Sequence, residues 1–96
     1  MTAYVIADID VHDQDAYREY SALVPDTLRP YGGRFLVRGG AFETLEGDWR
    51  PRRVVVLEFP SAEHARRWYG SQEYAAPLAM RHSASTGRLV LVEGTA

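Results

Sequence analysis

An α+β fold built on an antiparallel sheet is what this sequence predicts, and three observations predict it. Strand and helix signals alternate along the chain in the order β-α-β-β-α-β. With 96 residues, no repeat, no linker and no low-complexity tract, the chain is expected to be one domain spanning 1–96. The strands are also apolar on both faces, which a small two-layer fold cannot cover with its own helices.

Ala3–Asp10 reads as the first strand, short and apolar with β-branched Val5, Ile6 and Ile9. Asp13 is a natural N-cap for the helix that follows, and Asp15 adds negative charge to its first turn. Ala16, Tyr17, Tyr20, Leu23, Val24, Leu28 and Tyr31 recur at spacings of three and four, one helical face. Pro25 should kink or split that helix, and Pro30 with Gly32-Gly33 should end it. Arg34–Arg38 is a second strand, stopped by Gly39-Gly40; Ala41–Leu45 either extends it past a bulge or forms a short strand of its own. Residues 46–51 form a loop by their Gly, Asp and Pro content. Arg53–Phe59 is the clearest strand, and Pro60 ends it. Ser61 caps a helix running to about Gly70, and Ser71 caps a further helical segment in which Pro77 argues for a break or restart. Arg88–Glu93 is the last strand. This order is the ferredoxin-like split βαβ pattern, with extra helix after the second main helix.

Composition excludes several classes. Apolar residues make up 46% and charged residues 25%, ordinary for a folded globular chain. The longest apolar stretches, Val54–Leu57 and Leu89–Val92, are far below the roughly 20 residues that span a bilayer, so no membrane partner is expected. The N-terminus has no basic segment of the secretory type, which points to a cytoplasmic protein. A net charge of -2 argues against nucleic acid as a partner. There is no cysteine, hence no disulfide or thiolate metal site. All eleven basic residues are arginine, so no side-chain amine exists for Schiff-base chemistry.

In the third strand Val55, Leu57 and Phe59 point one way and Val54, Val56 and Glu58 the other; in the last, Leu89 and Leu91 oppose Val90 and Val92. Helices cover one face only, and a bare second face would be a large apolar patch. The simplest cover is the same face of a second copy, which predicts a homodimer through the sheet face, with the two sheets forming a closed, barrel-like core.

The run Tyr31-Gly32-Gly33-Arg34-Phe35-Leu36-Val37-Arg38-Gly39-Gly40 resembles the signature of domain-of-unknown-function family thirteen-thirty. So do Leu45-Glu46-Gly47-Asp48-Trp49, Glu58-Phe59-Pro60-Ser61 and Trp68-Tyr69-Gly70-Ser71-Gln72-Glu73-Tyr74. The similarity runs from Tyr4 to Gly94, and Pro77 departs from it. It implies a dimeric α+β barrel, and it implies no reaction. The wider superfamily includes cofactor-free monooxygenases, small-ring isomerases, haem-degrading enzymes and plain ligand binders, and a shared fold does not choose among them.

The candidate chemistry is a small pocket between sheet and helices. Arg38 ends the second strand before two glycines, and its fork suits a carboxylate or phenolate; the competing reading pairs it with Glu58. Glu58 and Asp8 are carboxylates in apolar strands, each either a general base or half of an ion pair with Arg34, Arg38 or Arg53. His12, His64 and His82 have no metal-ligand spacing. His82, next to Arg81 at the end of the last helix, is the one that could border a cleft. Tyr17, Trp68 and Tyr69 belong to the aromatic clusters that would line such a pocket, or simply fill the core. The expected site therefore has Glu58 or His82 as base, with Arg38, Arg81, Tyr17, Trp68 and Tyr69 holding a small organic acid or aromatic. No cofactor and no metal are expected. An enzyme doing cofactor-free oxygen or isomerase chemistry, a ligand binder without turnover, and a purely structural homodimer all remain open at this point.

Overall fold

The computed structural model describes residues 1–95. The elements are β1 (Ala3–Val11), α1 (Gln14–Leu28), a 3-10 turn (Arg29–Tyr31), β2 (Arg34–Arg38), β3 (Val54–Phe59), α2 (Ala62–Tyr69), α3 (Gln72–Ala84) and β4 (Ser85–Glu93). The four strands form one antiparallel sheet in the order β2-β3-β1-β4. This is the α+β class and element order that the sequence predicts.

Each helix starts where a side-chain oxygen takes up an orphan amide. Asp13 Oδ1 accepts from Ala16 N at 3.1 Å, Ser61 Oγ from His64 N at 3.2 Å, and Ser71 Oγ from Tyr74 N at 3.2 Å. Gly32, at φ 70°, closes the 3-10 turn in the left-handed region that favours glycine.

The two internal prolines do not divide their helices. Pro25 lies inside a continuous α1 and Pro77 inside a continuous α3, which corrects the expected split or restart. Proline removes one amide, and the carbonyl four residues earlier must find another donor. For Pro25 that carbonyl belongs to Ser21, and Arg38 Nη2 donates to it at 2.5 Å. For Pro77 it belongs to Glu73, an exposed residue open to water.

Residues 41–45 form neither a strand extension nor a separate strand; the irregularity in β2 falls between Phe35 and Val37 instead. β4 begins at Ser85, three residues before the expected Arg88, because Thr86 and Ser85 continue the ladder opposite Asp10 and Val11. Ala84 O also accepts from His12 N and Asp13 N, tying the end of α3 to the turn after β1.

Register assigns the two faces. Ala3, Val5, Ala7 and Ile9 alternate toward the helices, with Val55, Leu57 and Phe59 opposite on β3 and Leu89 and Leu91 opposite on β4. Val5, Ile9, Leu57 and Phe59 join Val24, Leu28, Trp68 and Tyr74 in the core. Trp68 and Tyr74 stack with ring centroids 4.1 Å apart, and Trp68 Nε1 donates to Thr27 Oγ1 at 3.0 Å, so the indole is buried with its polar atom satisfied. The opposite face carries Tyr4, Ile6, Val54, Val56, Val90 and Val92 with no element over it. Val90 is 60% exposed and Val92 45%. Among the described residues no helix is long and apolar enough to cross a membrane.

Candidate functional site

A cavity of about 30 Å³ lies between the helix-facing side of the sheet and helices α1 and α3. Its walls are the apolar residues Val5, Ala7, Val24 and Leu57 and the aromatic residues Tyr17, Tyr20, Trp68 and Tyr74. Three arginines reach it from different elements, Arg38 from β2, Arg53 from the residue before β3, and Arg81 from α3. None of the lining residues is acidic.

Arg81 is the most deeply placed of the three, at 3% exposure. Helical spacing sets Tyr74, Pro77 and Arg81 on the buried face of α3. Arg81 Nε donates to the Tyr74 hydroxyl at 3.5 Å, and Tyr74 and Tyr20 share a hydroxyl–hydroxyl hydrogen bond of 2.7 Å. Burial, reinforced by the neighbouring Tyr74, pushes the Tyr20 hydroxyl far above its ordinary pKa, so it stays protonated. No carboxylate of the described residues pairs with Arg81. Its place in the last turn of α3 gives it the favourable end of the helix dipole, up to about 2 kcal/mol in a partly buried setting. Burial opposes the charge, while the Tyr74 hydroxyl and the neighbouring tyrosines favour it and hold the Arg81 pKa above its ordinary value, so the group stays a guanidinium with no anion beside it.

Arg53 adds a second uncompensated cation. Its guanidinium sits over the Tyr17 ring at 5.3 Å, and its Nε is buried with no acceptor. It occupies the space beside Gly39, whose φ of 71° lies in the left-handed region that favours glycine. Arg53 and Tyr17, with Ile9 and Ser21, also wall an outer hollow of about 400 Å³ between α1 and the strand ends. The Arg53–Tyr17 contact therefore divides a roomy vestibule from the small inner cavity. Arg38 closes the remaining side, with its guanidinium 4.2 Å above the Phe35 ring and Nη2 hydrogen-bonded to the Ser21 carbonyl and to Ser21 Oγ at 3.0 Å.

Of the seven residues singled out from the sequence, the structure brings Arg38, Tyr17, Trp68 and Arg81 together around the cavity. Glu58 lies on the opposite side of the sheet, where its carboxylate accepts from Arg34 Nε at 2.8 Å; Arg34, not Arg38, is its partner. His82 is exposed on the outer side of α3, and Tyr69, 42% exposed, borders a separate groove between α2 and β4. Asp8 also faces away from the cavity. It accepts from Arg52 N at 2.9 Å and from Trp49 Nε1 at 3.1 Å, and the backbone hydrogen bond first, then the indole one, hold its pKa below the ordinary value. His12 bonds Thr86 Oγ1 at 2.8 Å, and His64 Nδ1 bonds its own cap, Ser61 Oγ, at 2.6 Å.

Arg53, Tyr20 and Tyr74 also line the cavity and are not among those seven. A signal for Arg53 was present, since it shares the strand parity of Val55, Leu57 and Phe59, a charge on the core side of an apolar strand. Among the described residues no group of His, Asp or Glu converges as metal ligands. With neither a carboxylate nor a histidine in its lining, the cavity offers guanidinium and phenol groups, which donate to and stabilise an anion.

Residues 2–95 match the family described as Domain of unknown function (DUF1330). No curated protein matches the chain. Among solved structures, a protein of unknown function from Rhodopseudomonas palustris is similar with a TM-score of 0.80 at 17% identity, covering 99% of this chain and 83% of the other. SnoaB, a cofactor-independent oxygenase from Streptomyces nogalater, has a TM-score of 0.68 at 12% identity, over 99% of this chain and 94% of that one. An antibiotic biosynthesis monooxygenase has a TM-score of 0.54 at 15% identity, over 98% and 99%. At these identities the likeness is one of fold alone.

Proposed function

We propose that this chain, which belongs to the DUF1330 family, binds a small organic anion in the cavity between sheet and helices. The observation that carries the reading is Arg81, a guanidinium buried to 3% exposure among tyrosines without a carboxylate partner. A folded protein keeps such a charge at a stability cost, and an anionic ligand is the partner that removes it. Arg81 with the Tyr74 hydroxyl forms the inner anion holder; Arg38 and Arg53 form the mouth; Tyr17 and Trp68 give the apolar and aromatic surround. The cavity's present volume holds a water molecule, not an organic acid, so binding requires Arg38 to leave Ser21 or Arg53 to leave Tyr17 and join cavity to vestibule.

The test is calorimetric titration of the protein with small aliphatic and aromatic carboxylates, repeated on Arg81→Met. Binding that is lost in the variant while its circular dichroism is unchanged supports the reading. A parent protein that binds none of these anions sinks it.

Catalysis on such an anion is the second reading. It draws on the fold shared with a cofactor-independent oxygenase and on the Tyr20–Tyr74–Arg81 chain, which could stabilise an enolate or phenolate as charge develops on it. Glu58 and His82 lie too far round the molecule to serve as its base. Turnover of a bound carboxylate or phenol under air distinguishes this reading from binding alone.

The assembly we propose is a cytoplasmic homodimer closed through the open sheet face. Val54, Val56, Ile6, Val90 and Val92 form one apolar surface there, and its charged margin holds both signs, Arg34 with Glu58 on one side and Asp8 with Arg88 on the other. Such a face is self-complementary, as a two-fold interface requires.

A further inference from the structure

Resting on the anion-binding reading, we infer that the ligand is a dianion, a short dicarboxylate whose two ends are taken by Arg53 and Arg81. The argument is one of charge count and spacing. Two cations border the inner cavity without an acid to answer them: Arg81, almost wholly buried, and Arg53, whose Nε is buried without an acceptor. Arg38 is different in kind, because it is exposed and already engaged with Ser21. A monoanion would neutralise one of the two guanidiniums and leave the other as it stands. A dianion answers both.

The sheet fixes where they stand. Arg53 precedes β3, and its carbonyl accepts from Ile9 N at 2.9 Å, which sets it beside Ile9 on β1. Ile9 stands opposite Gly87 on β4. Arg81 Nη1 lies directly over Gly87, where an added Cβ would be 2.7 Å from it. The Arg53 backbone and the Arg81 guanidinium therefore flank Ile9 on its two sides, while the Arg53 guanidinium reaches the other way, beside Gly39. Turned inward over Ile9, it faces Arg81 across a span that a short dicarboxylate fills, and Ile9 with the Tyr17 and Tyr20 rings supplies an apolar bed for the spacer. Gly87 has a matching role, since its missing side chain is the space that Arg81 uses. The guanidinium of Arg53, standing in the wall of the vestibule, meets the incoming acid first and turns inward with it.

The experiment compares matched acids at constant ionic strength by isothermal titration calorimetry, with glutarate against butyrate and isophthalate against benzoate. The expected result is that each diacid binds about ten-fold or more tightly than its monoacid, the effect of one added charge-assisted hydrogen bond. In Arg53→Met that ratio falls to near one, whatever the change in butyrate affinity itself; in Arg53→Lys, which retains the charge, part of the preference remains. Arg81→Met loses both acids of a pair. Equal affinity for diacid and monoacid in the parent, or an unchanged ratio in Arg53→Met, overturns the dianion while leaving anion binding in place. A parent that binds neither acid overturns both.

Discussion

The Arg38 guanidinium donates to the Ser21 carbonyl at 2.5 Å, and that carbonyl is the one Pro25 deprives of its helical donor. An arginine on the second strand thereby completes a hydrogen bond that the first helix cannot make for itself, and one side of the cavity is closed in the same act. The arrangement makes Arg38 both a structural donor and a movable wall.

The first prediction follows from that pairing. Arg38→Ala should cost about 1 kcal/mol, the net value of an ordinary hydrogen bond, in the parent. In a Pro25→Ala background the residue 25 amide takes the Ser21 carbonyl, and the cost of Arg38→Ala should shrink toward zero. A double-mutant cycle by urea denaturation measures the difference. Equal costs in the two backgrounds would show that Arg38 does not act through that carbonyl.

Arg81→Met should stabilise the ligand-free protein, by roughly 1 kcal/mol or more, because it replaces an unpaired buried charge with an apolar chain of similar length. The same substitution should remove anion binding. A rise in Tm together with loss of binding is the pattern of a site maintained at the expense of stability. A fall in Tm would assign Arg81 to the structure instead.

Tyr74→Phe should destabilise by about 1–3 kcal/mol, since it leaves the Tyr20 hydroxyl buried and without its partner. Changing Tyr20 to Phe as well removes both polar ends, so the double variant should lose less than the two single losses combined. Thermal unfolding of the four proteins checks the sign.

Asp8 gives a pH dependence with a definite direction. Its pKa is lowered in the folded protein by the Arg52 amide and then the Trp49 indole, so the anchoring of residues 49–52 is fully present above the ordinary carboxylate pKa of 3.8. It is lost as pH falls through the lower, folded value. The Trp49 indole N–H resonance should move and exchange faster over that acid range, while that of buried Trp68 holds. Asp8→Asn should reproduce the released Trp49 signal at neutral pH.

Val90→Asp tests the assembly. Placed on an open face at 60% exposure, the charge should cost the isolated fold little, and it should break an isologous interface twice over. Sedimentation should show a parent of twice the chain mass and a variant of single mass with unchanged circular dichroism.

How far the site was legible follows from how each residue declares itself. Arg38, Arg81, Tyr17 and Trp68 stand out in the sequence because a charge beside glycines, a cation at a helix end, or an aromatic on an apolar helical face is visible locally. Glu58 looks like a buried base by the same rule, but strand parity turns it to the far side of the sheet, where it meets Arg34. His82 and Tyr69 are neighbours in sequence of residues that face inward, and one helical step of about 100° carries each away from the cavity.

The sequence by itself determined the class and order of the elements, the three N-caps and the apolar character of both sheet faces. These rest on short-range rules, such as alternation along a strand, periodicity along a helix, and a side-chain oxygen next to an orphan amide. Only the tertiary structure decided that Pro25 leaves α1 whole, that Arg53 belongs to the cavity, and that three arginines from three elements meet where no acid does. The physical reason is the same in each case. The partner that completes the carbonyl, or fails to complete the charge, comes from a strand or helix distant in sequence, and its arrival depends on sheet register and helix packing rather than on any neighbouring residue.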